Sequence, residues 1–159
     1  RAQPQMVARK GSEDEEERDE EIWPEWWGIT LSQCQALMRE CKQDPAWRST
    51  NRVYTLVQDF VKPRTAGTGM GYALLTNREK PLEVGVMVSH TWAENAEEFF
   101  ETLERTVSPD EVMFICALSV YQSEDGAGPS IVEQLGSMAS ESPFRRVLDH
   151  ILKRGQAQD

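Results

Sequence analysis

The spacing of apolar residues predicts two amphipathic helices in the first half of the chain. Thr30 begins the first helix, because Thr30 and Gln33 form a T-x-x-Q capping box before an apolar residue recurs every three or four positions. Asp44-Pro45 ends this helix, and a second helix follows and stops at Pro63. Two such helices joined by a short link predict a helical hairpin. The apolar positions of the two helices are Leu31, Cys34, Leu37, Met38 and Cys41, and Val53, Leu56, Val57, Phe60 and Val61.

Two runs that are apolar on both faces predict buried parallel strands in the second half, Val84 to Ser89 and Val112 to Leu118. The helix Asn95 to Val107 lies between them, so the three elements predict a right-handed strand–helix–strand unit. Tyr72 to Leu75 is assigned a short strand. Two further helices begin at the capping pair Ser130 and Glu133 and at Ser142-Pro143, with predicted inward residues Ile131, Leu135 and Met138, and Phe144, Val147, Leu148, Ile151 and Leu152.

The negative charge of the chain is concentrated near its N-terminus. The 159 residues carry a net charge of −10 at pH 7. Ser12 to Glu21 holds eight acids and one arginine, a net charge of −7, which leaves −3 for the remainder. A body this close to neutral argues against nucleic acid as a partner. Because residues 1–21 have little apolar surface to bury, we expect them to form a disordered acidic tail.

Three tryptophans fall within five residues at the start of the next segment, residues 22–63. Either the rings plug the edge of the core, or they anchor the tail on a partner, since tryptophan is enriched at interface hot spots. A segment of charge −7 has little reason to fold back on a body of charge −3, so we expect Glu13 to Trp27 to lie on a protein partner with a basic surface. The predicted partner-docking residues are Glu15, Glu16, Glu17, Trp23, Trp26 and Trp27.

Motifs for a metal or cofactor are lacking in the sequence. Arg64 to Gly71 (RTAGTGMG) has three spaced glycines, but it follows a proline-terminated helix and has no G-K-[ST], so we interpret it as a flexible connector. Two histidines and the scattered Cys34, Cys41 and Cys116 do not supply a zinc site or a disulfide framework. We therefore predict no cofactor, no metal and a reducing compartment.

The beginning of the chain bears on its compartment. Arg1 to Lys10 is basic and free of acids, as in a trimmed precursor or the remnant of a targeting peptide. The expected compartment is the cytoplasm, or a plastid or mitochondrion after removal of such a peptide. No apolar run approaches the length of a membrane span, about 18 residues, which leaves peripheral association with a membrane open.

Polar residues follow both predicted parallel strands, at the edge where open α/β sheets place their ligands. The candidate ligand-binding residues are Ser89, His90, Trp92, Tyr121, Gln122 and Asp125. His90 admits two interpretations. It either bonds a backbone carbonyl while Trp92 covers the sheet, or it acts as an acid or base near Glu94, Glu124 and Asp125. Ser89, His90 and Asp125 lack the G-x-S-x-G context of a hydrolase triad.

The runs VMVSHTWAENAEEFFETL, VMFICALSVYQ and ESPFRRVLDHI resemble a TIR-like family of large protist proteins, notably those of dinoflagellates. Members of that family carry a V-S-H-x-W strand end, a strand ending in an N-Q or Y-Q pair, and an S-P-F helix. The resemblance covers Pro63 to about Ile151, and TAGTGMGYALLTN also looks like the stretch that leads into that domain. It implies a partial flavodoxin-like parallel sheet, used for self-association or, in enzymatic members, for cleaving NAD.

The resemblance also bears on activity. Enzymatic members carry their catalytic glutamate in a W-C-x-x-E type segment on a later helix, and this chain has no such segment. The implied unit is a truncated TIR-like α/β domain over residues 64–159, without NAD hydrolysis by this chain alone. We expect a non-catalytic interaction module or an accessory subunit of a larger assembly. Two alternatives stay open: an NAD-processing hydrolase whose catalytic half lies outside this chain, and a peripheral subunit of an organellar membrane complex docked by its N-terminal tail.

Overall fold

The chain combines helices with short strands, as expected for an α/β protein. The computed structural model describes residues 2–158. Arg1, which belongs to segment 1–21, and Asp159, which belongs to segment 64–159, lie outside the described residues. The elements are β1 (Gln5–Arg9), β2 (Arg18–Ile22), β3 (Ile29–Thr30), α1 (Leu31–Gln43), α2 (Val53–Thr55), a π-helix (Leu56–Val61), α3 (Lys62–Thr65), α4 (Tyr72–Thr76), β4 (Val86–Val88), α5 (Ala96–Thr106), β5 (Val112–Ile115), α6 (Cys116–Ser119), α7 (Ile131–Leu135) and α8 (Pro143–Gln158), with 3₁₀ turns at Pro24–Trp26 and Ala139–Glu141.

A three-stranded sheet with the order β3-β5-β4 lies at the centre of the fold. The predicted parallel pairing of β4 with β5 is confirmed, with Val86 opposite Met113 and Val88 opposite Ile115. The sheet is nevertheless mixed, because β3 pairs antiparallel to β5 on the other side. The expectation that β4 is a central strand is wrong. It lies at an edge with half-buried side chains, whereas β5 is central.

The strand β5 is shorter than the apolar run that predicted it. The chain leaves the sheet after Ile115 and turns once as α6. The buried Ser119 hydroxyl accepts the Ile115 N–H (3.1 Å) and donates to the Trp27 carbonyl (2.9 Å). Because one side chain satisfies two backbone groups there, the chain can leave the sheet without burying unpaired amides.

Capping residues in the sequence mark the starts of α1, α5 and α7. Thr30 and Gln33 form the predicted capping box at the start of α1. Ser130 and Glu133 do the same at α7, and the Asn95 side chain accepts a hydrogen bond at the start of α5. These interactions involve residues three positions apart, so the sequence alone contains them.

Two predictions near the middle of the chain are wrong. The second helix does not stop at Pro63, since helical structure continues through the π-helix and α3 to Thr65. Pro63 lies in the first turn of α3, where its missing N–H is tolerated, and the Arg64 side chain donates to the Phe60 carbonyl (2.8 Å). The segment expected to form a strand at Tyr72 to Leu75 is helical, as α4.

The N-terminal tail is not disordered. β1 and β2 pair antiparallel from Gln5 opposite Ile22 to Arg9 opposite Arg18. Gln5, Val7 and Ile22 are buried, while the intervening acids face solvent. This period of two gives the segment an inner face that a count of charged residues does not reveal. Residues 5–22 are named the acidic hairpin below.

Two polar side chains attach the acidic hairpin to the rest of the fold. Gln5 Nε2 donates to the Ser119 carbonyl and its Oε1 accepts the Gly71 N–H, both at 2.8 Å. Arg9 donates from Nη1 to the Arg78 carbonyl (2.7 Å), and its Nε pairs with Glu20 (2.6 Å). The expectation that Glu13 to Trp27 lies on a partner instead of its own domain is therefore wrong for the strands of the hairpin.

The core consists of two clusters. The larger one contains the apolar faces of α1, the π-helix and α5. The smaller one joins Val7, Ile22 and Trp27 to Val84, Phe114 and Val147, so it draws on all three sequence segments. The predicted inward positions at the C-terminal end are partly wrong, because side chains there are largely exposed: Met138 (61%), Leu148 (43%) and Leu152 (63%).

Candidate functional site

A cavity of about 210 Å³ lies at the carboxyl end of the parallel strands. Ser89, His90 and Trp92, three of the candidate ligand-binding residues, line it from the loop after β4. Cys116 of α6 and Phe144 of α8 complete the lining together with Met87 and Val88. Cys116 and Phe144 were not predicted as lining residues, because no local pattern in the sequence places α6 and α8 beside β4.

His90 is half-buried among aromatic rings. Its ring centroid lies 5.6 Å from that of Trp92 and 5.3 Å from that of Phe99. Its Nε2 accepts the Ala117 N–H at 3.4 Å, so the expected backbone contact is made to an amide and not to a carbonyl. Nδ1 is buried and has no hydrogen-bond partner within residues 2–158. Burial lowers the pKa of His90, which favours the neutral ring at pH 7.

The carboxylates proposed to assist His90 are bonded elsewhere. Glu94 accepts the Thr91 N–H (2.9 Å), and Glu124 accepts the Ile131 N–H (3.0 Å). Each carboxylate fixes a loop and leaves the imidazole without an acidic hydrogen-bond partner in the described part of the chain. These contacts do not support the interpretation in which His90 acts together with Glu94 or Glu124.

Cys116 is the nucleophilic side chain that shares the cavity with His90. Burial raises the pKa of its thiol to about 11, so the sulfur is protonated at neutral pH. Among residues 2–158 it forms no hydrogen bond with His90. The cavity therefore holds a thiol and a neutral imidazole without the activated pair that cysteine chemistry requires.

Tyr121, Gln122 and Asp125 form a separate group. The Tyr121 hydroxyl donates to Asp125 (2.7 Å), and Gln122 Nε2 donates to the Cys116 carbonyl (3.0 Å). Asp125 also accepts the Gly67 N–H (2.7 Å), and the Tyr121 hydroxyl is the main reason that the pKa of Asp125 is lowered. Of the six candidate ligand-binding residues, three line the cavity, Tyr121 and Asp125 form a loop clamp, and Gln122 bonds the backbone of α6.

This clamp fixes the glycine-rich segment that the sequence suggested was a flexible connector. Gly69 and Gly128 bring two loops into backbone contact, and a Cβ atom at Gly128 would lie 2.7 Å from the Gly69 Cα. Gln134 strengthens the contact, since its buried amide bonds both the N–H and the carbonyl of Tyr121 (2.9 and 2.8 Å). The glycine-rich segment is therefore a fixed connection between elements of the fold and not a phosphate-binding loop.

The three clustered tryptophans have three different environments. Trp27 is fully buried, donates from Nε1 to the Ile22 carbonyl (2.8 Å) and stacks on Phe114, so it plugs the core. Trp23 lies under the Arg146 guanidinium, 4.3 Å from the ring centroid. Trp26 is 42% exposed. Of the three, Trp26 presents the largest accessible ring to a partner.

A second cavity, of about 330 Å³, lies where the acidic hairpin meets this cluster. Its lining consists of Glu20, Glu21, Ile22, Trp23, Trp26 and Pro81. Arg146, which lies over the ring of the lining residue Trp23, donates two hydrogen bonds to Glu25 (2.6 and 3.0 Å). Burial alone would raise the pKa of Glu25, but Arg146 outweighs it, and the pKa is lowered. The predicted docking acids Glu15, Glu16 and Glu17 are exposed in the turn of the hairpin.

Comparison with family models, curated proteins and solved structures finds no match to this chain. Within residues 2–158, no cluster of three or more histidine, cysteine or acidic side chains is arranged to hold a metal ion. None of the helices in that range is long and apolar enough to cross a membrane.

Proposed function

We propose that this chain is a non-catalytic protein–protein interaction module or an accessory subunit of a larger assembly, which docks on a basic partner through the acidic hairpin. The observation that carries the proposal is the arrangement of the eight acids between Ser12 and Glu21. All eight are exposed, and they lie on a hairpin that is packed against its own domain.

Clustered like charges repel one another, which disfavours the hairpin in isolation. The buried Gln5 and Val7 hold it in place regardless. A pre-ordered charged surface binds with less loss of conformational entropy than a disordered tail. Complementary charge also accelerates association and suppresses partners of the wrong sign. These properties are those of a docking element for a positively charged protein surface.

The domain beneath the hairpin is proposed to be TIR-like, with a partial flavodoxin-like sheet. The S-H-x-W, Y-Q and S-P-F motifs in that order support this part, together with the parallel strand–helix–strand unit of β4, α5 and β5. Domains of this kind also serve in self-association, in agreement with a role in assembly.

Affinity capture with a matched charge control tests the docking role. One variant replaces Glu15, Glu16 and Glu17 by glutamine. The control replaces three exposed acids of α5, Glu98, Glu101 and Glu104, by glutamine and changes the net charge equally.

Capture from the source cell, quantified by mass spectrometry at low and physiological salt, is expected to enrich the same basic protein with the wild type and the α5 control. The hairpin variant is expected to lose it. Equal enrichment by all three chains would refute the proposed docking surface.

A further inference from the structure

The cavity between the acidic hairpin and the tryptophan cluster combines aromatic and acidic groups on one rim. Trp26 contributes an exposed indole, and the exposed acids Glu20 and Glu21 border the cavity. Aromatic faces attract cations through their quadrupole, and the attraction strengthens as the cation is desolvated. Carboxylates add charge-assisted hydrogen bonds. The chemistry of this rim therefore selects an organic cation.

The two carboxylates are not equivalent. Glu20 already pairs with Arg9, whose Nε lies 2.6 Å from Oε2. Glu21 forms no ion pair with any residue in the range 2–158. The Glu21 carboxylate is consequently available to a cation from a partner, whereas the charge of Glu20 is largely neutralised by Arg9 within the hairpin.

The fold itself uses the same combination at Trp23, another residue that lines the cavity. The Arg146 guanidinium lies over the ring of Trp23 and bonds Glu25 through two nitrogens. A planar guanidinium can stack on an indole and present a two-pronged donor to a carboxylate at the same time, which a lysine ammonium cannot. Trp26 and Glu21 offer the corresponding pair of groups to the outside.

We propose that this cavity binds one arginine side chain from the basic partner of the acidic hairpin. The guanidinium stacks on Trp26 and donates hydrogen bonds to Glu21, while the arginine methylenes pack on Ile22 and Pro81. The inference rests on the proposed function, because the hairpin acids bring the basic segment to the surface. It adds a specific contact to that general attraction.

The experiment uses the whole chain and a short, fluorescently labelled peptide of alternating arginine and glycine. A second peptide carries lysine in place of arginine. Binding is measured by fluorescence anisotropy at low salt, and the tryptophan indole N–H signals are followed by NMR during the titration.

Trp26→Ala is expected to weaken arginine-peptide binding about tenfold, since a desolvated cation–π contact contributes on that order. Glu21→Gln is expected to weaken it about fivefold. Glu16→Gln removes one charge from the hairpin turn and is expected to weaken binding by less than about twofold, through the general attraction alone. The matched control Glu101→Gln removes one charge from the exposed face of α5 and is expected to leave the affinity unchanged. The Trp26 indole signal is expected to shift, and the lysine peptide to bind several-fold more weakly.

The outcomes separate the cavity from the docking surface. Equal effects of Glu21→Gln and Glu16→Gln, with no effect of Trp26→Ala, would overturn the cavity assignment and leave the proposed function standing. Equal binding of both peptides would overturn the choice of arginine. Absence of binding by the wild type to either peptide would count against both proposals. A far-UV circular dichroism spectrum of Trp26→Ala that matches the wild type excludes a folding defect as the cause of lost binding, and Trp26→Phe, which keeps an aromatic face, is expected to retain binding.

Discussion

Replacing Gln5 by alanine is expected to destabilise the protein by about 2–4 kcal/mol, because two buried backbone groups lose their partner. Gln5 is fully buried, and its amide bonds the Ser119 carbonyl and the Gly71 N–H at 2.8 Å each. These two bonds join the acidic hairpin to α6 and to the loop before α4.

The magnitude follows from the cost of a buried polar group without a partner. Each such group costs about 1–3 kcal/mol, so two would cost about 2–6 kcal/mol. Water entering the space left by the side chain relieves part of that cost, which lowers the expected total. Gln5→Glu is expected to cost at least as much, since a carboxylate would face the Ser119 carbonyl.

Urea unfolding followed by circular dichroism and tryptophan fluorescence measures the change. Gln3→Ala is the matched control, because Gln3 is exposed in the same N-terminal segment. It is expected to lie within about 0.5 kcal/mol of the wild type. Hydrogen exchange of the Gly71 amide adds a local measurement, and protection there is expected to fall in Gln5→Ala.

A Gln5→Ala variant as stable as Gln3→Ala, with Gly71 exchange unchanged, would refute the docking of the hairpin. Residues 1–21 would then be the disordered acidic tail that their composition suggests. The proposed function would lose its pre-ordered surface in the same experiment.

Two further perturbations test the packing and the electrostatics. Gly71→Ala would place a Cβ atom 2.3 Å from the Ser119 carbonyl oxygen. The free energy of unfolding of this variant is expected to be lower than that of the wild type by about 2 kcal/mol or more. In the control Gly85→Ala the nearest atom to the new Cβ lies 3.9 Å away, and the free energy of unfolding is expected to change by less than about 1 kcal/mol. Arg146→Met removes the partner that lowers the pKa of Glu25. A lowered carboxyl pKa stabilises the fold at neutral pH, and this stabilisation is lost as pH falls below the ordinary glutamate pKa of 4.5 and through the lowered folded-state pKa. The difference in unfolding free energy between wild type and variant, about 1–2 kcal/mol at pH 7, is therefore expected to narrow in that acidic range. A gap that stays constant over this range would contradict the assigned ion pair.

The helices and the central pairing follow from short-range patterns in the chain. The capping boxes at Thr30 and Ser130 connect residues three positions apart, and the apolar faces of α1 and α5 repeat at helical spacing. The parallel pairing of β4 with β5 follows from two apolar runs separated by one helix. The helices can be predicted from windows of a few residues, and the parallel pairing from the rule for strand–helix–strand crossovers.

The site residues were predicted only where they follow a strand directly. Ser89, His90 and Trp92 line one cavity because they leave β4 together. Tyr121 and Asp125 bond each other instead, since α6 turns the chain away from the sheet before Tyr121. Side chains that meet across long separations cannot be paired from local spacing.

The N-terminal hairpin shows most clearly what depends on tertiary contacts. Its charge predicts disorder, yet its alternation places Gln5, Val7 and Ile22 on one face. That face is stable only because Ser119 and Gly71, 114 and 66 residues away, supply hydrogen-bond partners for Gln5. Trp27 is a core residue for the same reason, since Phe114 of β5 lies beneath it. The composition of the hairpin shows that its acids repel one another. The buried side chains and hydrogen bonds that compensate for this repulsion form only when distant parts of the chain pack together.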